Sequence, residues 1–231
     1  MQPDLHPRST YTAPAAIGTA QQRVLRNTYL MLALTMVPTV IGAMIGMSTA
    51  GIIMQHPIIG SLVMLGAVIG LQFAIAANRD TGIGVALLLL MTFVLGWWLG
   101  PLLTVALSLR NGPQLVGFAA AGTGIIFFVM STIATTTKRD FSFMGKFLVV
   151  GMIALLIAMI ANMFLQIPAL ALTISTLVIV VFSLFLLHDV SRIVNGGETN
   201  YLMATTGVYL SLFNIFASLL QLLMALTGEK D

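Results

Sequence analysis

The fold is decided by residues 205–223, TTGVYLSLFNIFASLLQLL, an apolar segment crossed by small and polar side chains at regular intervals. Gly207, Ser211, Asn214, Ser218 and Gln221 follow one another at spacings of four, three, four and three. On an α-helix this spacing forms one narrow stripe. Because unpaired amides and hydroxyls are costly in hydrocarbon, the stripe is expected to face protein or a wet cavity. We therefore predict a helix towards the middle of a bundle, with the stripe serving interhelical hydrogen bonds or lining a polar path.

The composition of the whole chain is that of an α-helical integral membrane protein. Of its 231 residues, 58% are hydrophobic and only 7% are charged, against about 25% in ordinary soluble domains. Unbroken apolar runs long enough to cross a bilayer predict seven transmembrane helices in one bundle, residues 23–227. The seven spans are expected at about 25–47, 57–77, 82–108, 114–136, 143–165, from 168 into the stretch 184–194, and 202–226.

The basic residues predict the orientation of the bundle, because cytoplasmic loops are enriched in Lys and Arg. With the N-terminus inside, eight of the ten basic residues fall in cytoplasmic segments and only Arg110 and Lys230 fall outside. Residues 1–22 are polar, rich in Pro, Ala and Thr, and are expected to form a flexible cytoplasmic tail. Seven spans then place residues 228–231 in the periplasm as a short C-terminus. The modest net charge of +3 serves topology, and no nucleic-acid partner is expected.

Three Gly-x-x-x-Gly pairs predict close helix contacts, since small residues let helix backbones approach in lipid. They are Gly42/Gly46, Gly66/Gly70 and Gly96/Gly100, each in a different span. Pro101, directly after the third pair, removes a backbone hydrogen bond and clashes with the preceding turn. A kink of the third span is therefore expected at Pro101.

The stretch LFLLHDVSRIV, residues 184–194, holds the candidate ionisable site. Here His188, Asp189 and Arg192 interrupt the end of the sixth span. One interpretation is a helix end in water, where Asp189 and Arg192 form a weak pair. The other is a partly buried Asp189 that responds to protons, because desolvation disfavours a charged carboxylate. A negative charge at a helix C-terminus is unfavourable, so Asp189 is an unusual choice for a simple terminus.

The residues give no support to an enzyme or to a bound cofactor. Of the seven acidic residues only Asp189 falls in a predicted helix near the hydrocarbon edge, so a pair of intramembrane carboxylates sharing a proton is not formed. No cluster of His and carboxylate ligands predicts a metal site. There is no cysteine and no glycine-rich phosphate loop followed by lysine.

Several longer stretches resemble the Bax inhibitor-1 family of seven-span membrane proteins, and within it the bacterial YccA-like branch. The stretches are VLRNTY (24–29), LGWWLGPLL (95–103), TTTKRDFSFMGKFL (135–148), ANMFLQIPAL (161–170) and NGGETNYLMATTGVYLSLFNIFASLLQLL (195–223). The resemblance implies six helices surrounding a central seventh. For the bacterial branch it also implies an inner-membrane location and association with the membrane-anchored AAA protease FtsH, as a modulator and as a substrate.

The resemblance also implies an alternative function, because some relatives are pH-sensitive calcium leaks. In those relatives a carboxylate near the end of helix six pairs with a carboxylate on helix seven. Asp189 matches the first position, whereas Ser211 falls at the second, so the pair of carboxylates is incomplete. Asn214 lies on the same stripe, one turn further along. Calcium binding is therefore left open, and a cation or proton leak gated near Asp189 is the alternative to protease regulation.

Overall fold

The computed structural model describes residues 18–137 and 139–227 of the chain, and the described part is a bundle of α-helices without strands. Seven of the helices are long and apolar enough to cross a membrane, which confirms the predicted fold class. In chain order the helices are α1 (Thr19–Ser48), the short α2 (Ala50–Gln55), α3 (Pro57–Ala77), α4 (Gly82–Leu107), α5 (Gly112–Thr136), α6 (Gly145–Leu165), α7 (Pro168–Val194) and α8 (Tyr201–Thr227). A 3₁₀ turn, Ser142–Met144, precedes α6.

The ends of the helices follow from local chemistry. Proline occupies the first turn of α3, α5 and α7, where its missing N–H is not needed. At the start of α4, the backbone N–H of Gly84 donates a hydrogen bond to the Thr81 hydroxyl. At the end of α7, Gly196 has a φ of +76°, and the N–H of Gly197 donates to the carbonyl of Arg192. This is a Schellman turn, which favours glycine at the left-handed position.

The chain ends are only partly described. Helix α1 begins at Thr19, earlier than predicted, so residues 19–22 of the predicted tail belong to the helix. The rest of that tail, residues 1–17, and the predicted C-terminal segment, residues 228–231, lie outside the described residues.

Helices α1 and α4 pack backbone against backbone through two of the glycine pairs. A Cβ atom added to Gly42 would lie 2.2 Å from the carbonyl oxygen of Phe93, and one added to Gly96 would lie 2.1 Å from that of Thr39. Gly46 and Gly100 contact each other's helices in the same way. Any side chain at these four positions would force the two backbones apart. We call this contact the glycine seam.

The third glycine pair does not form the contact predicted for it. Gly66 and Gly70 of α3 have no neighbouring atom within 4 Å of an added Cβ, and both residues are exposed. The prediction for this pair is wrong because the small residues lie on the face of α3 that points away from the bundle. A motif on one helix brings about close packing only when the facing helix offers a matching surface.

Pro101 lies inside α4, which continues from Gly82 to Leu107 as one helix. The predicted kink stays a prediction. The structure does show which packing contact involves the carbonyl that the proline leaves without a helical donor. Pro101 has no N–H to donate to the carbonyl of Trp97, four residues earlier. That carbonyl is the atom closest to an added Cβ on Gly46, at 2.1 Å. The glycine seam therefore approaches α4 where its backbone lacks one hydrogen bond.

Helix α8 is the central helix, as expected from its stripe. None of residues 201–220 is exposed, and α8 packs against α1, α4, α5, α7 and, through a smaller contact, α3. The Tyr209 hydroxyl donates to the carbonyl of Thr92 at 3.3 Å and shares a 2.8 Å hydrogen bond with the Thr39 hydroxyl. Tyr209 thereby ties α8 to both helices of the glycine seam.

Candidate functional site

Asp189 lies near the end of α7, partly buried between α7 and α8. Its Oδ1 atom is 3.1 Å from Nδ1 of His188, and the two side chains are 18% and 10% exposed. On the other side Asp189 packs against Gly207, where an added Cβ would lie 2.6 Å from Oδ2. Gly207 begins the polar stripe of α8, and its lack of a side chain makes room for the carboxylate.

His188 packs on the first residue of α6. A Cβ on Gly145 would lie 2.8 Å from Nε2 of His188. One turn along α7, the Ser191 hydroxyl accepts a hydrogen bond from the backbone N–H of Phe141 at 3.1 Å. These contacts fix the segment before α6 against α7, next to the candidate site.

Arg192 pairs with a residue other than Asp189, the partner that one interpretation of the sequence gave it. Its Nη2 atom lies 3.4 Å from Oε2 of Glu198 and donates to the carbonyl of Gly197 at 3.1 Å. The described residues contain no ion pair between Arg192 and Asp189. The Schellman turn reverses the chain directly after α7 and returns Glu198 to Arg192, while Asp189 points to α8.

A cavity of about 150 Å³ lies at this end of the bundle and brings two carboxylates together. Its lining combines charged, polar and small residues: Gln72, Asp189, Arg192, Glu198, Met203, Ala204, Thr206 and Gly207. We call it the Asp189 cavity. Its second carboxylate is Glu198, which lies between the sixth and seventh predicted spans. The Gly-Gly pair directly before Glu198 was the available signal, because it permits a tight reversal of the chain.

The loops around the Asp189 cavity are held by further polar contacts. The Asn200 side-chain amide donates to the carbonyl of Arg79 at 3.0 Å and to Asp80 at 2.8 Å. Its oxygen accepts from the N–H groups of Leu202 and Met203, which caps the start of α8.

Outside the spans, the Ser142 hydroxyl and backbone N–H donate to Asp140 and lower the pKa of that carboxyl.

The remaining stripe residues divide between the core and a second cavity. Ser211, which the family resemblance placed at the position of the second carboxylate, is 2% exposed. Asn214 donates to the carbonyl of Leu210 on its own helix at 2.8 Å. Asn214, Ser218 and Gln221 line a second cavity of about 620 Å³. Of the predicted candidates, the structure therefore brings His188 and Asp189 together with Arg192 nearby, and separates them from Asn214.

The second cavity is a groove between α3 and α6, floored by α7 and α8. Helix α6 packs mainly on α7 and the 3₁₀ turn before it, while α3 packs mainly on α4. Gln72 of α3 lines both this groove and the Asp189 cavity. The two spaces therefore follow one another along α8, on either side of the Gln72 side chain.

The charges at the site are too few for a tight calcium site. Calcium in proteins is coordinated by about six to eight oxygen ligands. The Asp189 cavity offers two carboxylates, one of which is already paired with Arg192. In the part of the chain that the structure describes, no three His, Asp or Glu residues are grouped so that they could hold a metal ion.

Comparison with known proteins extends over the whole bundle. The family model described as inhibitor of apoptosis-promoting Bax1 matches residues 21–228. A membrane protein of Vibrio cholerae is 37% identical over 217 residues, which cover 94% of this chain and 96% of the relative. An Escherichia coli K12 protein named modulator of FtsH protease YccA is 42% identical over 203 residues, 87% of this chain and 89% of the relative. A relative with the same identity and coverage, from another E. coli strain, is named inner membrane protein YccA.

Proposed function

Because the chain belongs to the Bax inhibitor-1 family, and matches a relative named as an FtsH modulator over nearly its whole length, we propose that it is an inner-membrane regulatory protein of FtsH. It binds this membrane protease within the lipid phase and modulates the turnover of other membrane proteins. The similarity to the YccA relative, at 42% identity, is the observation that carries the proposal.

We assign the regulatory activity to the helix bundle. The family match supports this assignment, because it covers residues 21–228 and leaves out most of the N-terminal segment. The N-terminal segment has few charges and is rich in Pro, Ala and Thr, a composition that a cytoplasmic ATPase can engage without first unfolding a domain. We assign it the separate role of exposing this protein to degradation.

The first experiment tests binding and modulation together. The full chain is co-expressed with FtsH, purified in mild detergent, and probed for the protease. In parallel, the lifetime of a different membrane substrate of FtsH is followed by pulse-chase with and without overexpression of this chain. We expect co-purification and a longer substrate lifetime. Absence of both would overturn the proposal.

A deletion of residues 2–17 separates regulation from degradation. We expect the shortened protein still to prolong the lifetime of the other substrate, while its own turnover by FtsH becomes slower. Loss of the modulating effect at equal protein level would show that the N-terminal segment, and not the bundle, carries the regulation.

The orientation expected from the charges is part of this proposal, because the N-terminal segment must reach a cytoplasmic ATPase. Six described basic residues lie at the end of the bundle that holds the Asp189 cavity, namely Arg23, Arg26, Arg79, Arg139, Lys146 and Arg192, and Arg110 lies at the other. We refer to these as the basic end and the opposite end. Reporter fusions are expected to place residue 1 in the cytoplasm and residue 231 in the periplasm.

A cation or proton leak is the second candidate function. It is favoured by the succession of the Asp189 cavity and the groove along α8, with Gln72 between them. Ser211 in place of a second carboxylate weighs against it, although Glu198 supplies a carboxylate from the following turn. Flux of calcium or protons into liposomes is compared across pH for the wild type and Asp189→Asn. A leak requires a pH-dependent flux that the substitution changes, and equal, flat flux in both proteins would exclude it.

A further inference from the structure

The groove between α3 and α6 has the size of a small-molecule site and the chemistry of a lipid site. Its volume of about 620 Å³ lies within the range of about 300–1,000 Å³ typical of ligand pockets. None of its lining residues is charged, and most are aliphatic, aromatic or methionine side chains. An uncharged, mainly apolar lining suits a hydrocarbon chain and offers no counter-charge to an ion.

The polar groups of the groove are concentrated towards the opposite end of the bundle. Ser61, Asn162, Ser175 and Gln221 all line it near that end of their helices. The Ser175 hydroxyl donates to Oε1 of Gln221 at 2.9 Å, which leaves the amide nitrogen of Gln221 without a partner among the described residues. The amide nitrogen of Asn162 is likewise unpaired there, while its oxygen accepts from Ile167. Two N–H donors are therefore available at one end of an apolar groove.

The length of the groove matches one leaflet of a bilayer. Its lining on α8 runs from Leu210 to Gln221, which at 1.5 Å per residue is about 17 Å. Half of a hydrocarbon core of about 30 Å is about 15 Å. A groove of this length can hold the acyl chain of a lipid from one leaflet, with the two N–H donors at the end nearer to the ester region of that leaflet.

The groove opens sideways, where a bilayer supplies its contents. Apolar side chains on its rim, including Leu62, Ile69 and Met159, are 46%, 45% and 40% exposed. Voids lined by apolar atoms forfeit dispersion contacts, so a space beside lipid is filled by whatever fits.

We propose that the groove binds one acyl chain of a membrane phospholipid. The chain lies along α8 between α3 and α6, and the ester carbonyl accepts hydrogen bonds from Gln221 and Asn162. This site goes beyond the regulatory function proposed above and does not depend on it. It also opposes the leak, because an acyl chain in the groove leaves no room there for a column of water.

The test measures lipid in the groove without the protease. Trp98 lines the groove, so a Trp97→Phe protein carries one tryptophan that reports on it. This protein is reconstituted in vesicles of phosphatidylcholine with bromine at mid-chain, and quenching of Trp98 is recorded as brominated lipid replaces ordinary lipid. Lipid retained after purification in mild detergent is counted by native mass spectrometry.

Two variants and one control decide the result. Ala217→Phe fills the groove from α8 and is expected to lower both retained lipid and Trp98 quenching at least about twofold, whereas Ala120→Phe, on an exposed face of α5, changes neither. Gln221→Leu leaves the groove open but removes a donor, so we expect about 2–10-fold weaker lipid retention, the equivalent of one hydrogen bond. Native-level quenching and retention in both groove variants would overturn the proposal.

Two other occupants would give different results. Quenching of Trp98 by a water-soluble quencher, with no effect of brominated lipid, would show a water-filled groove. Loss of FtsH co-purification in Ala217→Phe with unchanged lipid retention would show that a segment of the protease occupies it. Either result would overturn the lipid site. The first result is obtained without the protease, and the second is read only where FtsH co-purifies with the wild type.

Discussion

The helices on the two sides of α8 carry similar glycine motifs, but the motifs produce different packing. On one side, the glycine pairs of α1 and α4 bring two backbones into contact and form the glycine seam. On the other side, α3 carries the same Gly-x-x-x-Gly spacing, but its glycines face outwards and a groove separates α3 from α6. The difference lies in the partner: Gly42 and Gly46 meet the backbone of a helix that carries a second glycine pair, whereas no described atom lies within 4 Å of an added Cβ on Gly66 or Gly70.

This contrast separates a closely packed part of the bundle from a part that contains cavities. The glycine seam joins α1 and α4, and Tyr209 joins α8 to both of them, so these three helices form a closely packed unit. Helix α6 is attached mainly through α7, and α3 mainly through α4. Close packing on one side leaves the other side with room for a ligand, and both described cavities adjoin α3 and α8.

The largest effect is expected from a side chain in the glycine seam. Gly46→Leu would place a Cβ 2.1 Å from the backbone oxygen of Trp97, which cannot rotate away. We expect a loss of about 3 kcal/mol in the free energy of unfolding, measured by titration with a denaturing detergent. Gly66→Leu is the matched control on the groove side and should change stability by less than about 0.5 kcal/mol. Equal losses in the two variants would abolish the contrast between the two sides.

A smaller loss is expected when Tyr209 is released from the helices of the seam. Tyr209→Phe keeps the ring but removes the hydroxyl shared with Thr39 and Thr92. Because Thr92 is buried and Thr39 is partly buried, we expect a cost of about 1–2 kcal/mol. Tyr201→Phe, on the same helix and with no hydrogen bond of its hydroxyl among the described residues, should be near neutral. A neutral Tyr209→Phe would mean that packing alone holds α8 to the seam.

Gly207→Ala tests a close approach in which the neighbour is a side chain. The new methyl group would lie 2.6 Å from Oδ2 of Asp189, so the carboxylate must rotate. We expect a cost of about 1 kcal/mol, less than in the seam, because a side chain can move where a backbone cannot. Asp189→Ala in the same protein should remove that cost, which a double-mutant cycle measures. Additive effects of the two substitutions would show that Gly207 and Asp189 are not coupled.

Much of the fold could be predicted from the sequence because hydropathy and helix periodicity act on one segment at a time. The number of spans followed from the apolar runs, and the central place of α8 followed from Ser211, Asn214 and their neighbours in the stripe. The outward direction of Gly66 and Gly70 could not be predicted. Their spacing is the same as in the seam, and only the pairing of α3 with its neighbours decides which face is buried.

The candidate site was only partly predictable for the same reason. Asp189 and His188 could be identified because charges at the edge of an apolar run are rare and costly. Glu198 could not, since its place beside Arg192 depends on the turn at Gly196 and on where α8 begins. The groove could not be predicted either, because it is a space between α3 and α6 and depends on how these two helices pack against their neighbours.

The smallest effect is expected at Asp140, in the link that leads to α6 on the groove side. Hydrogen bonds from Ser142 lower the pKa of Asp140 below its ordinary value of 3.8. A carboxyl whose pKa is lowered on folding stabilises the folded state above its unfolded pKa, and this contribution is lost as the pH falls through the folded value.

The wild type should therefore lose slightly more stability than Asp140→Asn below about pH 3.8, while the stabilities of the two proteins run parallel above it. Unfolding midpoints of both proteins between about pH 3 and pH 6, a range that spans the ordinary pKa of Asp140, provide the measurement. Parallel curves throughout would show that the Asp140–Ser142 contact does not help to hold the start of α6, so its attachment would depend on His188 against Gly145 and on Ser191 bound to Phe141.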